Sequence, residues 1–132
     1  IKQLTGEDII SGAESCLKQG CHIVVVTLGK GMKLEHNHRR ITATCYIRDA
    51  EGEYAIEPIS RNVASEVDTT GAGDAFAAGF VYGLLKSKDL KECGWLGDIT
   101  ARFSIAKLGT REGFPTPIEL AQRYQELYKK QL

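Results

Sequence analysis

The residues best suited to chemistry stand in one run, Asp68-Thr69-Thr70-Gly71-Ala72-Gly73-Asp74-Ala75-Phe76. The run follows extended chain and opens a stretch of helical periodicity. Small residues at 71–73 let a ligand approach the backbone closely. Their N–H groups would stand at a helix N-terminus, where the helix itself offers them no carbonyl. The aligned peptide dipoles add partial positive charge at the same end. Both features suit phosphate oxygens. Asp74 falls in the first turn of that helix. An acidic side chain there also steadies a helix by about 0.3–1 kcal/mol. Spacing alone therefore reads Asp74 equally as a helix-start carboxylate and as a reacting group.

Two other phosphate motifs are excluded. No Gly-x4-Gly-Lys followed by Ser or Thr occurs, so there is no Walker A loop. Gly71-Ala72-Gly73-Asp74-Ala75 is followed by Phe76, where a dinucleotide fingerprint needs glycine.

The elements that must position this run are legible on either side of it. Thr5 caps a first helix, with Asp8 as its capping-box partner. Ile9, Ile10, Ala13, Cys16 and Leu17 recur at helical spacing, and Gly20 supplies the stop. His22–Leu28 is a continuous β-branched run, which reads as a strand buried on both faces of a parallel sheet. Three more extended stretches follow, near Met32–His36, Ile41–Ile47 and Tyr54–Ile59. Asn37-His38 and Ala50-Glu51-Gly52 give the turns between them, and these stretches read as antiparallel strands at one side of the sheet. Gly71–Leu85 is helical, with Phe76, Phe80, Val81 and Leu84 on one face. Asp89 caps a helix running to about Lys107 through Leu90, Trp95, Ile99, Phe103 and Ala106. Gly109 follows as its stop. Thr116-Pro117 starts a last helix carrying Ile118, Leu120, Ala121, Tyr124 and Leu127. The fold class expected is α/β, a mostly parallel sheet flanked by helices.

Composition narrows the function. The 132 residues point to a single domain, with 42% apolar and 26% charged residues. Seventeen basic and 17 acidic side chains cancel, so no electrostatic footprint for nucleic acid or an anionic membrane appears. No apolar run is long enough to span a bilayer, and no secretion signal is present. The four cysteines, Cys16, Cys21, Cys45 and Cys93, form no CxxC pair and no metal-like spacing. They read as free, mostly buried thiols of a reducing cytoplasm. His22, His36 and His38 have no ligand-like partners and read as one strand and two turn residues. Trp95 reads as a core residue.

Asp68–Phe80, DTTGAGDAFAAGF, resembles the C-terminal signature of the ribokinase-like (PfkB) carbohydrate kinases. Members of that family phosphorylate a hydroxyl or hydroxymethyl group of sugars, nucleosides and related compounds. The order of elements agrees with the resemblance. It implies that Asp74 is the catalytic base for the substrate hydroxyl. It also implies that Gly71, Ala72 and Gly73 form an anion hole whose N–H groups stabilise the transferring phosphoryl. A helix N-terminus favours the ionised carboxylate, so proton transfer is expected late, with Asp74 chiefly orienting the hydroxyl.

The resemblance extends to Val26-Thr27-Leu28-Gly29, which is similar to the family's nucleotide-binding strand end. It implies nucleotide contacts at Thr27, Gly29 and Gly31. The family usually has its second glycine three residues after the first, where this chain has Met32. A tight turn is the alternative reading of Gly29 and Gly31. Ile99–Pro115 resembles the helix and loop around the adenine, which implies contacts near Asp98 and Gly109. Asp98 reads otherwise as a solvated helix residue. Asp68 and Thr70 match positions that bind a monovalent cation in some members, although Asp68 would equally hydrogen-bond the turn.

ATP or ADP, Mg²⁺ and a monovalent cation are the cofactors implied. A small sugar or nucleoside is the substrate implied, in the cytoplasm. The resemblance covers the C-terminal part of the family pattern only. The Asn-x-x-Glu motif that precedes a Leu-Thr-Gly like Leu4-Thr5-Gly6 is not in the sequence, nor are the N-terminal strands, the sugar-binding residues and the lid. The chain therefore reads as an incomplete ribokinase-like portion. Its apolar strand edge implies a homo-oligomer. The alternatives are a nucleotide-binding module without turnover, and an inactive assembly fragment.

Overall fold

The computed structural model describes residues 5–36, 38–57, 72–106 and 115–129. The chain divides into two compact units, Ile1–Pro58 and Ile59–Leu132.

The first unit opens with α1, Gly6–Lys18. Its start is held reciprocally. The Asp8 N–H donates to Thr5 Oγ1 at 3.3 Å, and the Thr5 N–H donates to Asp8 Oδ2 at 2.9 Å. That pair satisfies two donors the helix cannot, so the cap read from the sequence stands. Gly6 allows the helix to start hard against the sheet. A Cβ there would lie 2.5 Å from the Lys33 carbonyl oxygen.

Three strands follow: β1 Ile23–His36, β2 Arg39–Asp49 and β3 Glu53–Ile56. They form a sheet of order β1-β2-β3, antiparallel throughout. These three strands are the antiparallel part of the α/β sheet expected from the sequence. β1 takes its partner from the chain that follows it directly, and a short hairpin permits only antiparallel pairing. Of the expected antiparallel stretches, Ile41–Ile47 lies in β2, Tyr54–Ile56 lies in β3 with residues 58–59 outside the described ones, and Met32–His36 continues β1 and is no strand of its own. Among the described residues β1 has a strand on one edge only. Asp49 closes the β2–β3 turn, its Oδ1 accepting from the N–H groups of Glu51 (3.0 Å) and Gly52 (2.9 Å).

Ala13, Leu34, Ile41, Ala43, Tyr46 and Ala55 form the core of this unit, with Ile9, Ile10, Val24, Val26 and Leu28 packed around them. Burying a side chain such as Leu34, only 2% exposed, contributes roughly 1.5–3 kcal/mol. Tyr46 keeps its hydroxyl satisfied by donating to Glu53 at 2.5 Å. Burial, and then that bond to a carboxylate, hold the phenol well above its usual range.

The second unit contains α2 Ala72–Leu85, α3 Leu90–Ala106 and α4 Pro117–Tyr128. Asp89 and Thr116 cap α3 and α4 as expected; Asp89 Oδ1 accepts from the Glu92 N–H at 2.8 Å, and Thr116 Oγ1 from the Glu119 N–H at 3.2 Å. α2 does not bury the face expected of it. Phe76 and Phe80 are buried at 6% each, but Val81 is 50% exposed and Leu84 40%. Glycines form the rest of the contact with α3. A Cβ at Gly79 would lie 2.5 Å from both the Leu96 carbonyl oxygen and Thr100 Oγ1, and one at Gly83 2.9 Å from Cys93 Sγ. Leu96, Ile99, Leu120 and Tyr124 form a second core between α3 and α4. Trp95 lies at its margin, stacked on Tyr128 with ring centroids 4.2 Å apart. The Tyr124 hydroxyl donates to Glu92 Oε2 at 2.6 Å, tying α4 to α3.

Candidate nucleotide and phosphate site

Ala72 begins α2, which places Gly73 and Asp74 in its first turn. Both are exposed. This agrees with the helix start read from the sequence, and it leaves the first N–H groups without helical partners. Nothing lies within 4 Å of a Cβ built at Gly73. The contrast with Gly79 and Gly83 is informative. Those glycines are required by packing, whereas no packing within the described structure requires Gly73. Glycine inside a helix costs about 0.5–1 kcal/mol relative to alanine, so its presence here has no stabilising reason. The open space over Gly73 is what a ligand approaching the backbone needs. Gly71, Asp68, Thr70 and Gly109 lie outside the described residues.

α3 runs back along α2 and carries Asp98 in its middle. Gly97, its neighbour, faces Phe76, two residues beyond Asp74. Asp98 is 7% exposed, so it is no solvated helix residue. Its Oδ2 accepts from Arg102 Nε at 3.0 Å. Burial pushes the Asp98 carboxyl above its ordinary value, and the Arg102 guanidinium opposes that shift without cancelling it. A buried carboxylate of this kind needs its partner; removing one member of such a pair costs more than the pair contributes.

The remaining expected residues belong to the first unit. Thr27 is exposed and pairs with Cys45. The ladder is then interrupted: β1 advances from Thr27 to Met32 while β2 moves only from Cys45 to Ala43. The surplus residues bow out of the strand. Gly29 at φ 58° and Gly31 at φ 123° supply the backbone conformations this requires. Gly31 is further confined, since a Cβ there would lie 2.8 Å from Thr42 Cγ2. These glycines therefore sit in a bulge inside β1 rather than in the tight turn expected as their alternative role, and Gly29 remains exposed on it. Among the described residues no group of three or more His, Cys, Asp or Glu side chains stands ready to hold a metal ion. No described helix is long and apolar enough to cross a membrane.

Sequence reasoning missed the Gly79, Gly83 and Gly97 contacts, although the i, i+4 spacing of Gly79 and Gly83 was a readable signal. It also missed the Glu92–Tyr124 bond, whose partners are far apart in sequence.

Comparison with known proteins decides the family. The pattern of the pfkB family carbohydrate kinases matches residues 1–117. The chain belongs to that family. It is 43% identical over 119 residues to an uncharacterized sugar kinase of Archaeoglobus fulgidus, covering 90% of this chain and 42% of the relative. It is 30% identical over 114 residues to a ribokinase of Lactococcus lactis, covering 86% of this chain and 33% of that protein. Among solved structures, the Arabidopsis thaliana ribokinase complexed with ribose and ATP shares its fold, with a TM-score of 0.71 at 24% identity over 89% of this chain and 34% of that one. The PfkB chain thus spans between a third and about two fifths of the length of these relatives.

Proposed function

We propose that the chain forms the nucleotide-binding portion of an ATP-dependent kinase that phosphorylates a hydroxyl group of a sugar, nucleoside or related small molecule. The observation that carries this reading is Gly73 at the exposed start of α2, with nothing within 4 Å of a Cβ, inside the signature of a chain of the PfkB family. The N–H groups of Gly71, Ala72 and Gly73 bind the transferring phosphoryl and stabilise the charge it develops. Asp74 orients the acceptor hydroxyl in line with that phosphoryl and takes its proton as the new O–P bond forms. Thr27, Gly29 and Gly31 would add nucleotide contacts, and Asp98 and Gly109 would contact the base.

Mg²⁺ bound with the nucleotide would supply charge neutralisation between the phosphates. Asp68 and Thr70 would hold a monovalent cation. Sugar kinases and nucleoside kinases both stand among the relatives, so the acceptor class is proposed no more narrowly.

A second reading is favoured by the chain's share of its relatives' length. These 132 residues bind nucleotide and do not turn over alone. One experiment separates the two. ADP affinity and phosphoryl transfer to a panel of sugars and nucleosides are measured for the chain and for Asp74→Ala. Transfer lost in the variant, with ADP affinity kept, supports the kinase reading with Asp74 as base. Binding without transfer to any acceptor supports the second. Absence of ADP binding by the folded chain rejects both.

A further inference from the structure

The end of α1 brings two cysteines together. Gly20, at φ 110°, donates its N–H to the Leu17 carbonyl at 3.0 Å, and Cys21 donates its N–H to the Cys16 carbonyl at 3.1 Å. These two bonds define a Schellman ending. In it the residue two past the cap folds back over the residue three positions inside the helix, and their side chains commonly touch. With Gln19 as the cap, those residues are Cys21 and Cys16. The 3.1 Å bond between their backbones caps the Cα–Cα separation at about 7 Å by bond lengths alone, and a disulfide spans roughly 4.4–6.8 Å.

None of the four cysteines is in a disulfide, but they are not alike. Cys21 is exposed and Cys16 partly so, while Cys45 and Cys93 are buried. This corrects the expectation of mostly buried thiols. Burial also pushes the Cys93 thiol up to about 11, which keeps it protonated and inert.

We propose that Cys16 and Cys21 form a thiol–disulfide exchange site that takes low-molecular-weight disulfides, of which oxidised glutathione is the type, and closes to an intrachain bond. The exposed Cys21 thiolate attacks one sulfur of the incoming disulfide. A Cys21 mixed disulfide forms and the first small thiolate leaves, taking a proton from solvent. The Cys16 thiolate then attacks Cys21 Sγ, and the second small thiolate leaves in the same way. Two protein thiols are oxidised and one small disulfide is reduced to two thiols. The product fastens the end of α1 to the residue two positions before β1.

The full chain is incubated with oxidised glutathione, quenched in acid, alkylated and mapped by mass spectrometry. The wild type is expected to lose Cys16 and Cys21 together from alkylation, to retain no glutathione and to release two glutathione molecules per chain. Cys16→Ser is expected to stop at the mixed disulfide on Cys21. Cys21→Ser is expected to exchange at Cys16 about tenfold more slowly, since the less accessible thiol must then attack. Circular dichroism checks that each variant is folded, and Cys16→Ala and Cys21→Ala replace any serine variant that is not. Glutathione retained on Cys21 of the wild type would overturn the proposal. So would disulfides formed only between chains, or Cys45 and Cys93 reacting as fast as Cys21.

Discussion

Gly97 and Phe76 meet where no side chain fits: a Cβ on Gly97 would lie 2.9 Å from the Phe76 carbonyl oxygen and 3.0 Å from its ring. This contact fixes α3 against the first turns of α2, two residues beyond Asp74. Gly97→Val must push the helices apart or shift the Phe76 ring. Overpacking of this kind costs typically 1–3 kcal/mol, so about that loss is expected in urea unfolding, with weaker ADP binding because the start of α2 moves.

The glycines of α2 are expected to separate stability from function. Gly79→Ala places a Cβ against the Leu96 carbonyl and Thr100 Oγ1 and loses about 1–3 kcal/mol. Gly73→Ala meets nothing in the fold and leaves stability unchanged or raised by up to about 1 kcal/mol. Gly73→Val keeps the fold and obstructs the approach of phosphate to the backbone. Thermal unfolding and nucleotide titration of all three variants check this ordering.

The bowed segment of β1 should tolerate its two glycines' replacement unequally. Gly29, at φ 58°, lies in a region Asn adopts at modest cost, and a Cβ there meets nothing. Gly31, at φ 123° and crowded by Thr42, admits no other residue without strain. Gly29→Asn is expected to change stability little, and Gly31→Ala to lose roughly 1–3 kcal/mol. Equal losses in chemical denaturation would count against the bowed geometry.

Asp98 gives a pH dependence of definite sign. Its folded carboxyl is raised above the ordinary 3.8 by burial, so the folded chain holds this proton more tightly than the unfolded one. Its contribution to stability is then complete below pH 3.8 and is lost as pH rises through the folded value. Asp98→Asn removes that slope. Stability of the wild type relative to Asp98→Asn should therefore fall as pH rises from acid toward neutrality. A difference that grows with pH would show that the Arg102 pair outweighs burial.

What the sequence made legible was mostly local chemistry. Thr5 with Asp8, Asp89 with Glu92, and Thr116 with Glu119 each act within one turn, so their residue types alone mark the helix starts. The turn at Asp49–Gly52 is equally local. The rest depends on partners that a single segment does not name. The β-branched run of β1 is compatible with either sheet direction, and the hairpin connection makes its pairing with β2 antiparallel. Periodicity put Val81 and Leu84 on the inner face of α2, but close approach to α3 selected Gly79 and Gly83. Asp98 reads equally as a surface carboxylate because its burial depends on packing that its own segment does not name. Of the candidate site, the signature gave Asp74 and the small residues before it, and the structure adds that Gly73 is open.

The central claim is that the start of α2 receives the phosphates of a nucleotide. Its most direct test is calorimetric titration of the chain with ADP and ATP, with and without Mg²⁺, beside Gly73→Val. Saturable binding by the wild type, weakened at least about tenfold (some 1.4 kcal/mol) in a variant that unfolds at the same temperature, is the predicted result. Binding that is equally strong in the variant, or no binding by a folded wild-type chain, would contradict it.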